Sequence, residues 1–131
     1  QTRPEDLDVL ARAQLRERQK RPGAAAPEWA RLAANAPPPL RQFGLLARAR
    51  IHEERRQPEV ALDLYENLVI DDPQGLYALE AHMGRARLYE QQGKIDRALK
   101  IYETALLGFP DDVRVPAIRL HIQRLRHLQE G

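Results

Sequence analysis

LEAHMGRARLYEQQGKIDRALKIYETALLGFPDD, residues 79 to 112, carries two helical patterns with a turn between them at Gly93. Helices joined by a few residues approach closely only where their side chains are small. Ala86, Ala98 and Ala105 supply such positions, while Tyr89 and Tyr102 fill the wider gaps. Pro110 has no backbone N–H to continue a helix, so the second pattern ends before it.

Counted from Leu79, the small residues stand at positions 8, 20 and 27, the aromatics at 11 and 24, and the proline at 32. This spacing resembles the tetratricopeptide repeat, a helix–turn–helix unit that stacks into a solenoid. Two positions depart from it: His82 stands at the bulky position 4, and Arg85 where a leucine is expected at position 7. His82 is expected partly buried among the packing residues.

The pattern recurs in the preceding residues. Gln42 to Gly75 places Ala49, Ala61, Tyr65, Leu68 and Pro73 at positions 8, 20, 24, 27 and 32. A shift of thirty-seven residues lays this segment on the last one with nine identities, among them Arg48 on Arg85, Arg50 on Arg87 and Glu53 on Glu90. A shift of thirty-six lays Leu10, Ala11, Arg12, Ala13, Glu17 and Pro22 on Leu46, Ala47, Arg48, Ala49, Glu53 and Pro58.

The first unit, about residues 6–39, is therefore a degenerate repeat. Thr2 with Glu5 has the form of a capping box opening a helix that runs to about Arg21. RPGAAAP, residues 21–27, is expected to break that helix. Pro27 then shortens the second helix to about Glu28–Ala36, around Trp29 and Leu32. Ala25 falls in the irregular segment, so enlarging it should matter less than enlarging Ala61 or Ala98. Residues 76–78 are expected to extend the following helix backward. After Pro110, Val115, Ile118, Ile122, Leu125 and Leu128 mark the apolar face of a capping helix, about residues 113–130.

The fold expected is all-α: a solenoid of three helix–turn–helix repeats (6–39, 42–75, 79–112) and a C-terminal cap, in one domain spanning 1–131. The 131 residues are 43% hydrophobic, enough for a real core. Charged residues make up 31% with a net charge of only +2, which disfavours a polycation built for nucleic acid. No run has the length of a membrane span, and the first residues lack the apolar core of a signal peptide, so no direct membrane insertion by this segment is expected. The chain begins at Gln1, as a processed form or an excerpt would, and an anchor elsewhere is compatible with it. Cytoplasm and periplasm both remain open, since the chain has no cysteine.

Catalytic chemistry is poorly supplied. There is no serine or cysteine, and Thr2 and Thr104 fall at a cap and inside a helix. His52, His82, His121 and His127 do not form the i, i+4 pair of a helical zinc site. The pairs Asp71–Asp72 and Asp111–Asp112 suit turns and caps. The expectation is a non-enzyme with no metal, no cofactor and no catalytic residues.

What the resemblance implies is a binding surface. In that family, positions 2, 5 and 9 of the first helices face a groove for a protein or peptide. Here they are Leu7, Leu10 and Gln14, then Phe43, Leu46 and Arg50, then Glu80, Met83 and Arg87. Phe43, Leu46, Arg50, Met83 and Arg87 are the partner-binding candidates, suited to a segment with acidic groups. The competing reading makes Phe43, Leu46 and Met83 core, Phe43 above all. Arg50 and Arg87 would then be neutralised by Glu53, Glu54 and Glu90 along their own helices. The family's lysine and asparagine clamp for a free C-terminal carboxylate is not supplied, so chaperone-tail binding is not implied. Two functions follow: an adaptor binding a protein or peptide, as the soluble part of a bacterial membrane-associated secretion or exopolysaccharide-export assembly would, or a self-association module stacking through its repeat ends.

Overall fold

Seven helices account for most of the chain in the computed structural model, which describes residues 2–130: α1 Pro4–Arg18, α2 Pro22–Asn35, α3 Leu40–Glu54, α4 Pro58–Asp71, α5 Ala78–Gln91, α6 Ile95–Gly108 and α7 Val115–Glu130. Among the described residues there is no strand. Each helix packs chiefly on those before and after it in the chain, which makes three helix pairs and a final helix. No helix is long and apolar enough to cross a membrane.

The three turns inside the pairs are one structure written with three sequences. Lys20, Arg56 and Gly93 occupy the left-handed region with φ of 57°, 59° and 76°. In each, the next N–H reaches back five residues: Arg21 to Arg16 O, Gln57 to His52 O and Lys94 to Tyr89 O, at 2.8, 2.9 and 2.9 Å. This closes the free carbonyls of the first helix and aims the chain back along it. Only Gly93 takes the positive φ without steric cost.

Packing follows the repeat. The small residues at positions 8 and 20, Ala13 and Ala25, Ala49 and Ala61, Ala86 and Ala98, are all 0% exposed. Trp29, Tyr65 and Tyr102 at position 24 are buried beside them, with Leu32, Leu68 and Ala105 at position 27.

The first repeat is more regular than its sequence suggests. The helix α2 is not shortened: it starts at Pro22 and runs through Pro27. Pro27 withholds one hydrogen bond from the Gly23 carbonyl, at a cost of about 3 kcal/mol. Its ring lies on the exposed face, while Trp29 and Leu32 are each 1% exposed. Burying those two side chains contributes more than that penalty. Ala25 is therefore a core residue and not part of an irregular linker. Glu28, itself buried, accepts from Arg12 Nε at 3.2 Å and Arg16 Nη1 at 3.0 Å, which clips α1 to α2.

Four boundaries also differ from expectation. The cap of α1 is Arg3, not Thr2: Pro4 takes the first helical position, and the Arg3 N–H donates to Asp6 at 3.2 Å. The helix ends at Arg18, where the turn begins. Residues 72–77 form turns instead of extending α5 beyond Ala78. The last helix opens at Val115, because Asp112 first accepts the Arg114 N–H at 2.9 Å and its guanidinium at 2.9 and 3.1 Å. Those bonds hold the Asp112 carboxyl down at about 2.

Candidate functional site

The first helices of the second and third pairs and the final helix stand side by side, and charged residues bridge them. Arg87 on α5 meets Glu53 on α3 through two bonds, Nε to Oε2 at 2.7 Å and Nη2 to Oε1 at 2.8 Å. Tyr65 on α4 donates its hydroxyl to the same carboxylate at 2.8 Å. One repeat on, Glu90 accepts from Tyr102 and from Arg124 on α7, both at 2.8 Å. Each acid at position 12 is thus held by the tyrosine of its own repeat and the arginine of the next helix.

Burial opposes ionisation of Glu53, but the bonds from Arg87 and Tyr65 outweigh it and keep the carboxyl below its ordinary value. Burial, then donation to Glu53, pushes the Tyr65 hydroxyl far up, and Tyr102 follows for the same reasons with Glu90. Both tyrosines therefore remain proton donors at any physiological pH.

Arg50 is the exception in the ladder. By register its acid would be Glu17, which makes no side-chain hydrogen bond among the described residues; Arg50 pairs with Glu80 on α5 instead. Beside an open cleft of about 880 Å³ lined by Arg50, Glu53, Glu54, Arg56 and Arg87, two smaller clefts flank this wall. One, of about 330 Å³, is lined by Arg50, Glu80, Met83, Arg87 and Arg114 beside Tyr65. The other, of about 220 Å³, continues past Met83 and Arg87 to Glu90, Tyr102, His121 and Arg124. The His121 ring stacks on Tyr102 with centroids 5.3 Å apart, and its Nδ1 lies 2.9 Å from Arg124 Nη2. The Glu53 and Glu90 side chains are 16% exposed, against 48% for Arg87 and 52% for Arg124.

The five candidate residues separate on this wall. Arg50, Met83 and Arg87 come together along the clefts. Leu46 is 1% exposed in the central core, so its side chain cannot meet a partner. Phe43 is half-buried, with its ring 5.3 Å from Trp29 and 5.5 Å from Tyr77, and packs in the first core cluster. The arginine pairs run between helices and not along them as the competing reading had it, and Glu54 makes no ion pair among the described residues. His82 is half-buried near Phe109, and burial, then the charge of Arg85, lowers its pKa. Sequence reading missed Arg124, which stands thirty-seven residues after Arg87. Continuing the repeat shift into α7 would have found it.

A family model described as the tetratricopeptide repeat matches residues 46–113, more than half of the chain. The chain belongs to the tetratricopeptide repeat family. Curated protein sequences contain no match to it. Two solved structures share the fold of this repeat protein. One is described as the first tetratricopeptide domain of Spaghetti (RPAP3) bound to the HSP90 peptide SRMEEVD, at 14% identity and TM-score 0.74, covering 96% of each chain. The other is the second such domain of human RPAP3 in complex with the HSP70 peptide SGPTIEEVD, at 16% identity and TM-score 0.67, covering 92% of this chain and 93% of that one.

Proposed function

We propose that this repeat domain is a non-catalytic adaptor that binds an acidic segment of a protein partner along the wall formed by α3, α5 and α7. The observation that carries the reading is the layering of charge. Arg50, Arg87, Arg114 and Arg124 line the clefts, each paired with one acid, and the Glu53 and Glu90 side chains are 16% exposed against 48% for Arg87 and 52% for Arg124. Guanidinium donors not used by those acids remain for a ligand carboxylate, and Met83 offers apolar contact between them. The acidic peptides on the two similar domains support the same ligand chemistry. The setting proposed is a bacterial membrane-associated secretion or exopolysaccharide-export assembly, supported by arginine-rich, lysine-poor composition alone.

Arg87 is the poorer probe, because it holds Glu53 through two bonds, whereas Arg124 gives Glu90 one and Arg50 pairs with the more exposed Glu80. Arg50 and Arg124 are more exposed and are replaced by glutamine. Titration of labelled acidic peptides, SRMEEVD among them, is expected to show binding that the Arg50→Gln, Arg124→Gln double variant weakens more than tenfold, about 1.4 kcal/mol. Helicity should be unchanged. Absence of binding to every acidic peptide, or equal binding by the folded variant, overturns the reading.

A further inference from the structure

At the C-terminal end of the stack α7 exposes Arg119, Gln123 and Arg126 beside α6, where Arg126 bonds to Glu103 at 2.8 Å, and turns Leu120 to solvent. On α1 the outward face keeps the residues of an internal repeat. Leu15 stands at the position of Ile51, Leu88 and Leu125, which are 2%, 2% and 0% exposed where they pack on the preceding repeat; Leu15 is 48% exposed. Ala11 likewise matches Ala47 and Gly84, both buried, yet is exposed itself. Leu7 is 56% exposed one turn away.

We propose that this face of α1 is a dimer interface and that its occupant is α1 of a second copy, laid antiparallel about a twofold axis over Ala11. The spacing is self-complementary. Leu7 and Leu15 stand four residues either side of Ala11, so each meets the other residue of the partner, and alanine on the axis lets the backbones approach. Asp8 and Gln14 stand three residues either side, so the carboxylate faces the partner's Gln14 amide, with the partner's Arg18 one turn further on. Leu7, Asp8, Ala11, Gln14, Leu15 and Arg18 are all exposed on one side of the helix, opposite buried Asp6, Val9 and Ala13. A foreign amphipathic helix would satisfy the leucines but not this matched polar pattern.

Sedimentation of the full chain over a wide concentration range tests the proposal. The mass is expected to rise toward twice the monomer, and Ala11→Glu, which sets two like charges on the axis, should raise the dimer dissociation constant at least tenfold. Asp8→Arg and Arg18→Asp should each weaken self-association, and an equal mixture of the two should restore it, because both cross-contacts again pair opposite charges. The Arg50→Gln, Arg124→Gln variant should dimerise as the parent does, which separates this outcome from the groove. A parent that stays monomeric at every concentration overturns the proposal and leaves the face to another protein's helix. A folded Ala11→Glu chain that dimerises like the parent also overturns it. If Ala11→Glu loses helicity, the mixing experiment decides alone: restoration upholds the interface, and its failure rejects it.

Discussion

The joints between repeats are built in two ways. At the second and third, an acid on one first helix is clasped by the tyrosine behind it and the arginine of the next helix. At the first joint Trp29 stands where those tyrosines stand, offers no hydroxyl to Glu17, and leaves its indole N–H buried without a partner. That joint is held by shape: Trp29 meets Phe43 edge to face, and the α2 backbone closes on Gly44, where a Cβ would come within 2.8 Å of the Ala33 nitrogen. A repeat can thus keep its geometry while exchanging a directional polar lock for apolar fit. The exchange releases Arg50 from the ladder and turns it toward Glu80 and the cleft.

The contrast is broken most directly at the acids. Glu53→Gln removes the charge that two donors share and should cost about 2–3 kcal/mol by chemical denaturation. Glu17→Gln should change stability by less than about 0.5 kcal/mol. Equal effects would show that the first joint is locked as the others are.

The alanines test the opposite claim, that packing is the same at all three pairs. Ala25→Leu, Ala61→Leu and Ala98→Leu should each cost about 1–3 kcal/mol in thermal or denaturant melts, since all three sites are fully buried. Tolerance at Ala25 alone would place the first pair below the others in packing density.

A smaller effect separates the joints by pH. Because the folded state lowers the Glu53 pKa, its contribution is present above the ordinary carboxylate value of 4.5 and is lost as pH falls through the lowered one. Stability measured below pH 4.5 should therefore fall less steeply in Glu53→Gln than in the parent.

Much of this architecture was legible because repetition supplies its own control. Ala86, Ala98 and Tyr102 suggest a register, and Ala49, Ala61 and Tyr65 repeat it thirty-seven residues earlier. The first repeat was misread where a local rule met tertiary packing: Pro27 argues against a helix, but the burial of Trp29 and Leu32 overrides one missing hydrogen bond. The candidate site was legible only by face. Position numbers bring Arg50, Met83 and Arg87 to one wall, but they do not say which side chains are reachable, and Leu46 is sealed beneath it. Nor does spacing along a helix reveal an acid on the neighbouring one, which is why the partners of Arg50 and Arg87 were sought along their own helices.

Because each helix packs chiefly on its chain neighbours, nearly every native contact closes a short loop. Such a chain folds quickly and has no need of a single distant nucleus. Order is expected to start in α3–α6, where the polar clasps add to packing, and to spread outward to both ends. On opening, the sequence reverses: α1, fastened only to α2, separates before the centre does, and its amides should exchange at a lower free energy than those of α5.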